Sequence, residues 1–468
     1  MIPSTPSARR LAGTLYAYAF LTDLVLLYPV YALLFADTGL SVGQISSLFV
    51  IWSLASIALE VPSGAWADAT SRRRMLCLAP LCTAAGFTLW TVVPSYPAFA
   101  AGFVLWGAGG ALASGATEAL VFDELDRLGA ADRYARVIGR ARTAGTVGVL
   151  GSIVLAAPVL ALGGYPAVGA ASVVACLLAA AVAVRFPDDR RVAGPDLDRA
   201  GDGTCLSGGP DTVHTVPGAH DTVHTVPRGL DVDSAVPAGG RAASTVVSAA
   251  DAATAGPDPD EDELGWWQGL RAGVAEARGS RPVRRAVLLV AGVGAVWGAL
   301  DEYTPLLARD TGVALTTVPL LLLIVTVGQI VGGLLAPVGQ RFGGRGYAVL
   351  LAGSALALAS GALVGHPAGF GLVAVAFGGL QLASVLADAR LQARITGPRA
   401  TVTSLAGMGT DLTIIVVYAG YGLVATMAGN PVAFAVAAVP YLLIAAALAI
   451  RPGRRPETAR AGGGGPGR

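Results

Sequence analysis

The placement of positive charge constrains this chain more than any other feature. All 32 basic residues are arginine. The sequence divides into twelve apolar stretches, each near the roughly 20 residues a helix needs to cross a bilayer. With the N-terminus inside the cell, Arg309 alone falls on the outer side, and the other 31 of the 32 arginines lie in inner segments. Cytoplasmic loops hold Lys and Arg because positive charge is hard to carry outward during insertion. The pattern predicts an all-α integral membrane protein of twelve transmembrane helices, multi-pass, with both termini cytoplasmic. The lack of Lys and the abundance of Ala, Gly and Arg fit a GC-rich bacterial source, hence a plasma (inner) membrane.

Composition narrows the function classes. Only 13% of residues are charged and 54% are hydrophobic, whereas a soluble domain is about one quarter charged. A net charge of +1 gives no footing for nucleic acid. Cys77, Cys82 and Cys176 fall in or at the ends of spans and Cys205 in a cytoplasmic loop, so no extracellular disulfide framework is indicated. Three of the four His lie in the central linker and His366 in an outer turn. With no metal-ligand spacing and no nucleophile elbow, neither an enzyme nor a metal or cofactor is expected. The apolar run after Arg9 and Arg10 is too long for a signal h-region and reads as a retained first helix.

The predicted spans are 11–35, 42–64, 75–93, 97–122, 137–161, 166–186, 286–308, 314–338, 346–364, 368–391, 402–427 and 431–450. They group into an N-terminal six-helix bundle (1–186), a cytoplasmic central loop (187–285), a C-terminal six-helix bundle (286–451) and a tail (452–468). The loop is rich in Gly, Pro, Asp, Ser and Thr and cannot bury enough apolar surface to offset chain entropy, so most of it is predicted to be disordered, as is the tail. It carries DTVHTVP twice, at 211–217 and 221–227; His214, His220 and His224 read as part of a duplicated linker rather than a metal site. Near 264–280 an amphipathic segment places Trp266 and Trp267 for the membrane surface.

The halves echo each other. Residues 33–39 read LLFADTG and residues 306–312 read LLARDTG, an offset of 273; GAWADATSRRR (64–74) faces APVGQRFGGR (336–345) at nearly the same spacing. Two such matches predict two parallel six-helix repeats.

Gly64-Ala65-Trp66-Ala67-Asp68-Ala69-Thr70-Ser71-Arg72-Arg73-Arg74, between spans two and three, resembles the loop motif G-x-x-x-D-x-x-G-R-R/K of the major facilitator superfamily. Ser71 stands where the motif has its second Gly. The resemblance covers all but the linker and tail. It implies a secondary transporter, a monomer by default, whose spans one, four, seven and ten line a central cavity. It implies also that Gly64, Asp68, Arg72, Arg73 and Asp123, the last at the inner end of span four, latch the halves on the cytoplasmic side. The residues give reasons. Gly64 permits close helix approach, and Asp68 suits the positive N-terminal end of span eleven, where Thr401, Thr403 and Ser404 offer capping hydroxyls. Gln340 replaces the aspartate in the second copy, which should latch weakly.

Charge at the centre of a span costs about 2.5–3.5 kcal/mol on insertion scales, so carboxylates retained at depth point to a role or a partner. Asp23 lies near the middle of span one, with Tyr16, Phe20, Leu27 and Tyr31 on roughly its face. Asp301 and Glu302 lie past the middle of span seven, near Trp297 and Thr304. Gln381, Ser384, Asp388 and Gln392 form one stripe on span ten. Glu118 lies near the inner end of span four, and Asp411 halfway into span eleven, two turns from Tyr418. No arginine is expected at the depth of Asp23. Asp23, Asp301, Glu302 and Asp411 are therefore the proton-coupling candidates. Tyr16, Phe20, Tyr31, Glu118, Trp297, Gln381, Ser384 and Asp388 are the substrate-cavity candidates. Span five has a glycine face, Gly145, Gly148 and Gly151, but lacks the Gly-Pro element common in drug/proton antiporters of the resembled family. The reading is proton-coupled export of small lipophilic or cationic molecules, with lipid, protons and the solute as the only partners. Uptake of a small nutrient such as a sugar is the alternative on the same fold.

Overall fold

The structure, a computed structural model, describes residues 6–187, 271, 274–275, 278–395 and 399–450, with backbone alone at 61–69, 115 and 399–400. The expectations for the linker, its DTVHTVP repeat, most of the 264–280 segment and the tail lie outside the described residues.

All regular structure among the described residues is helical. The N-terminal half contains α1 (Pro6–Asp23), α2 (Tyr31–Asp37), α3 (Val42–Ala69), α4 (Arg72–Val92), α5 (Tyr96–Arg127) and α6 (Tyr134–Ala183). The C-terminal half contains α7 (Arg281–Asp301), α8 (Thr304–Asp310), α9 (Val318–Leu334), α10 (Ala336–Gly339), α11 (Gly344–Leu363), α12 (Gly369–Gln392), α13 (Arg399–Ala428), α14 (Asn430–Ala437) and α15 (Val439–Ala449).

Ten of the described helices are long and apolar enough to cross a membrane. Two features separate that count from the twelve spans expected. Span one is not a single helix: α1 stops at Asp23 and α2 starts at Tyr31. Spans five and six run together as α6, whose 50 residues would measure about 75 Å if straight. The chain turns back instead at Gly163 and Gly164, where the backbone leaves helical geometry and Gly164 takes φ +61°. Glycine enters that left-handed region at no steric cost.

The internal echo is structural. α2 and α8 are both seven residues long, follow a break in their span, and end at the matched Asp37 and Asp310. Each is closed by a left-handed glycine, Gly39 at φ +96° and Gly312 at φ +79°. Span seven, like span one, is thus a broken helix, a form that secondary transporters place at their binding sites.

Close packing joins helices within each half, as it must where lipid is as apolar as the side chains. A Cβ on Gly332 of α9 would run into the Gly378 carbonyl oxygen of α12. A Cβ on Gly148 of α6 would run into the Phe20 carbonyl oxygen of α1. The glycine face expected in span five is therefore used, against span one.

The two ends of the molecule, inner and outer by the arginine pattern, differ. At the outer end one apolar core runs through both halves, from Tyr31, Phe35 and Phe49 to Tyr303, Tyr418 and Tyr421. At the inner end the cores are separate: Leu11, Met75, Leu125 and Phe186 belong to one half, Val283, Leu391 and Val402 to the other. Among the described residues, the halves share one core at the outer end and have separate cores at the inner end.

Gly332→Ala should lower unfolding stability in detergent by about 1–3 kcal/mol, the usual cost of overpacking a tight contact. Gly353→Ala, where a Cβ would meet nothing within 4 Å, should stay within about 0.5 kcal/mol of the parent.

Candidate functional site

The broken helices meet at a partly open cavity of about 80 Å³ lined by Tyr28, Tyr31 and Trp106 from one half and Asp301, Glu302, Thr326 and Gln329 from the other. Among the described residues, no basic residue lines it. Asp301 is the last residue of α7 and Glu302 its cap, so both carboxylates stand at a helix C-terminus, where the peptide dipoles leave partial negative charge and favour a cation nearby. Asp301 Oδ1 accepts a hydrogen bond from Gln329 Nε2 at 3.1 Å. The Tyr31 hydroxyl donates to Glu302, a hydrogen bond across the two halves.

Tyr31 is fixed by its surroundings. Phe35, Phe49, Trp90, Phe103 and Trp106 surround its ring at centroid distances of 5.5–6.1 Å. Tyr28 stacks on Trp106 at 5.4 Å with 18° between planes. Edge-to-face and stacked pairs of this kind add stability beyond burial and hold ring orientation. The opposite half answers with Tyr303, which stacks on Tyr421 at 3.7 Å, packs against Phe49 at 5.2 Å, and donates from its hydroxyl to Ser46 Oγ at 2.8 Å.

The stripe drawn from Tyr16 to Tyr31 does not survive as one helical face. α1 ends at Asp23, so Tyr16 and Phe20 stay with the inner half of the bundle while Tyr31 starts α2 and reaches the cavity. Asp23 lies instead against the glycine face of α6, where a Cβ on Gly145 would run into Asp23 Oδ2. Arg142 is three residues before Gly145 on α6, about one turn toward the inner end. It also lies within electrostatic reach of Glu118 and Tyr134.

On the other half, two candidates meet. Trp297 Nε1 donates to Ser384 Oγ at 2.8 Å. Gln381 is buried on α12, and Asp388 is half-buried. Gln392, the end of that stripe, turns away to donate to Thr403 Oγ1 of α13 at 3.0 Å. Asp411 is half-buried on α13 and does not line the cavity, whereas Tyr418 joins the ring cluster, 5.2 Å from Phe49.

Around the loop motif, Arg72 forms an ion pair with Asp123, tying the start of α4 to the inner end of α5 within one half. Arg73 is close enough to act electrostatically on Cys77. The side chains of Gly64 and Asp68 lie outside the described residues. The second loop is held by a different device: Arg390 Nη2 of α12 donates to the Phe342 carbonyl at 3.1 Å, and its guanidinium lies 3.9 Å over the Tyr347 ring. The cation here comes from a helix and the acceptor from the loop, whereas Arg72 and Asp123 both stand on helices.

Several site residues went unread in the sequence. Gln329 is an amide buried in α9, whose only other polar side chain is Thr326, and the argument applied to carboxylates at depth would have found it. Tyr28, Trp106 and Tyr303 gave no such signal, because aromatic residues in a span read equally well as core.

Comparison with known proteins places this geometry. The family model described as Major Facilitator Superfamily matches residues 14–397. No curated protein matches the chain significantly in sequence. Among solved structures, a mutant form of the nucleoside transporter NupG aligns with a TM-score of 0.66 at 11% identity, covering 94% of this chain and 99% of that one. A bacterial homolog of the human lysosomal transporter Spinster, in an inward-facing and unoccupied conformation, aligns at 0.60 and 17% identity, covering 95% and 97%. A D-xylose–proton symporter aligns at 0.57 and 15% identity, covering 94% and 96%.

Removing only the hydroxyl in Tyr31→Phe should cost about 1.5–3 kcal/mol if Glu302 is charged, as for hydrogen bonds to ionised groups. Tyr31→Ala, which also empties the ring cluster, should cost about 3–5 kcal/mol. Unfolding in detergent, followed by loss of helical signal, measures both.

Proposed function

Because the chain belongs to the major facilitator superfamily, a family of transporters, we propose that it is a proton-coupled secondary carrier that exports small lipophilic or cationic molecules by alternating access. The observation that carries the reading is the pair of adjacent carboxylates, Asp301 and Glu302, at the break in span seven, in a cavity with no basic lining residue among the described residues. Two carboxylates so placed need protons or a cation to balance them. Its space of about 80 Å³ holds a few waters at most and is far below the roughly 300–1,000 Å³ of a drug-sized site. It therefore serves the coupling proton, and the solute enters from the parted inner end, past Trp297, Ser384 and Asp388. Asp23, Glu118 and Asp411 are further titratable groups on that route. The Tyr31 hydroxyl bond makes the proton state of Glu302 felt at the seam between the halves.

For a neutral solute the driving force suffices. One charge moved through 100 mV is worth about 2.3 kcal/mol, against about 1.4 kcal/mol for each tenfold solute gradient. When the inner end closes, Gly64, Asp68, Arg72, Arg73 and Asp123 form the cytoplasmic latch; in the inward-facing state Arg72 and Asp123 pair within their own half. The protein works as a monomer in a bacterial inner membrane with its termini in the cytoplasm. Uptake of a polar nutrient is the second reading. It is favoured by the likeness to folds named as a nucleoside transporter and a D-xylose–proton symporter.

Proteoliposomes loaded in turn with tetraphenylphosphonium, ethidium, uridine and xylose test the proposal. The parent should move one of the cations uphill with opposite proton flux. Asp301→Asn and Glu302→Gln should abolish uphill movement while leaving downhill exchange. Uphill movement that persists in both variants would overturn the coupling assignment, and uphill uptake of uridine or xylose would favour the second reading. Separately, Asp68→Asn should slow turnover several-fold with solute affinity nearly unchanged, and the reverse pattern would count against the latch.

A further inference from the structure

Arg309 is the one arginine on the outer side of the predicted topology, against the bias that keeps such residues inside, so its retention calls for a local reason. It is the penultimate residue of α8, and its Nη1 lies 2.5 Å from Asp37 Oδ1 at the end of α2. The other oxygen, Asp37 Oδ2, accepts from the Tyr165 hydroxyl at 2.6 Å. Asp37 is thus held by its own half through Tyr165 and by the opposite half through Arg309. The internal repeat shows which of these contacts is basic to the fold. Asp310 matches Asp37, and its Oδ2 accepts from Asn430 Nδ2 at 2.8 Å. Each half therefore ties the outer end of its broken helix to the start of its last span. Arg309 matches Ala36 at the same offset, so the contact between halves has no counterpart and is an addition to the repeat.

We propose that Arg309 and Asp37 form an outer latch that biases the carrier toward the inward-facing state, with Tyr165 orienting the Asp37 carboxylate. Arg309 is a positioning residue. It does not line the cavity and acts on the balance between states. The charged and titratable groups facing it are Asp37, Asp310 and Tyr165. The pair is partly exposed, at 44% and 33% of the side chains, so its effect is moderate. Losing it should shift the ratio of outward-open to inward-facing molecules by roughly two- to fivefold, the upper part of the range measured for exposed ion pairs.

The test needs no solute, so it is independent of the coupling and substrate assignments above. Spin labels carried on an introduced ketone amino acid at Ser95 and His366, on outer turns of opposite halves, report outer opening by pulsed distance measurement in lipid nanodiscs. Arg309→Gln and Asp37→Asn should each raise the long-distance population roughly two- to fivefold. The double variant should go no further than either single, because both remove the same contact. Arg309→Lys should stay near the parent, and the unfolding midpoint should stay unchanged throughout. Parental distributions in both single variants would overturn the latch, and so would additive shifts in the double. Tyr165→Phe keeps both charges and the ring. It should give a smaller shift in the same direction, and no shift there removes Tyr165 from the device.

Discussion

The hydrogen bond from Tyr31 to Glu302 crosses the molecule where its two halves meet, and the architecture converges on it. The donor is set by five aromatic neighbours in the N-terminal half, the acceptor by the end of α7 in the other. Both stand at breaks in spans that the internal repeat makes equivalent. A continuous helix would carry Glu302 past this point with its backbone fully satisfied and its side chain on a fixed stripe. The break frees the direction of the carboxylate and places it at a negative helix end. The same geometry that seals the outer side thus carries a group whose charge is costly to keep there without a balancing proton or cation.

Asymmetry between the two ends follows from what packs each of them. Outside, large rings from both halves interlock through Phe49, Tyr303 and Tyr418, so separation of the halves would expose several aromatic surfaces at once. Inside, the described residues form two separate cores, one with Tyr18, Tyr134 and Phe186, the other of aliphatic groups such as Val283, Leu391 and Val402. Among the described residues no ring contact joins the halves at that end, so an inward-facing resting arrangement fits this packing. Inner closure must then come from specific polar contacts, which is the part assigned to the loop motif.

The fold class was legible because charge distribution and span length act over the whole chain and tolerate local error. The LLFADTG and LLARDTG echo was also legible, and it proved to mark the broken helices themselves. The breaks were missed although each carries a proline, Pro29 before α2 and Pro305 in the first turn of α8, a residue that removes a backbone donor and disfavours a continuous helix; the apolar run Val25, Leu26 and Leu27 masked the signal. Hydropathy reports burial, and burial does not distinguish a helix from a turn packed inside protein. The carboxylates at depth were found because their insertion cost leaves a visible trace, whereas aromatic partners cost nothing to insert and leave none.

For the protein to work by alternating access, the outer seam must open. A Cβ at Gly43 of α3 would lie 3.1 Å from Thr426 Oγ1 of α13, so a cysteine pair at these positions spans the seam between the halves. In proteoliposomes, the disulfide in Gly43→Cys/Thr426→Cys should form in the resting protein and stop solute movement, and reduction should restore it. Full-rate movement with the disulfide intact would contradict the account.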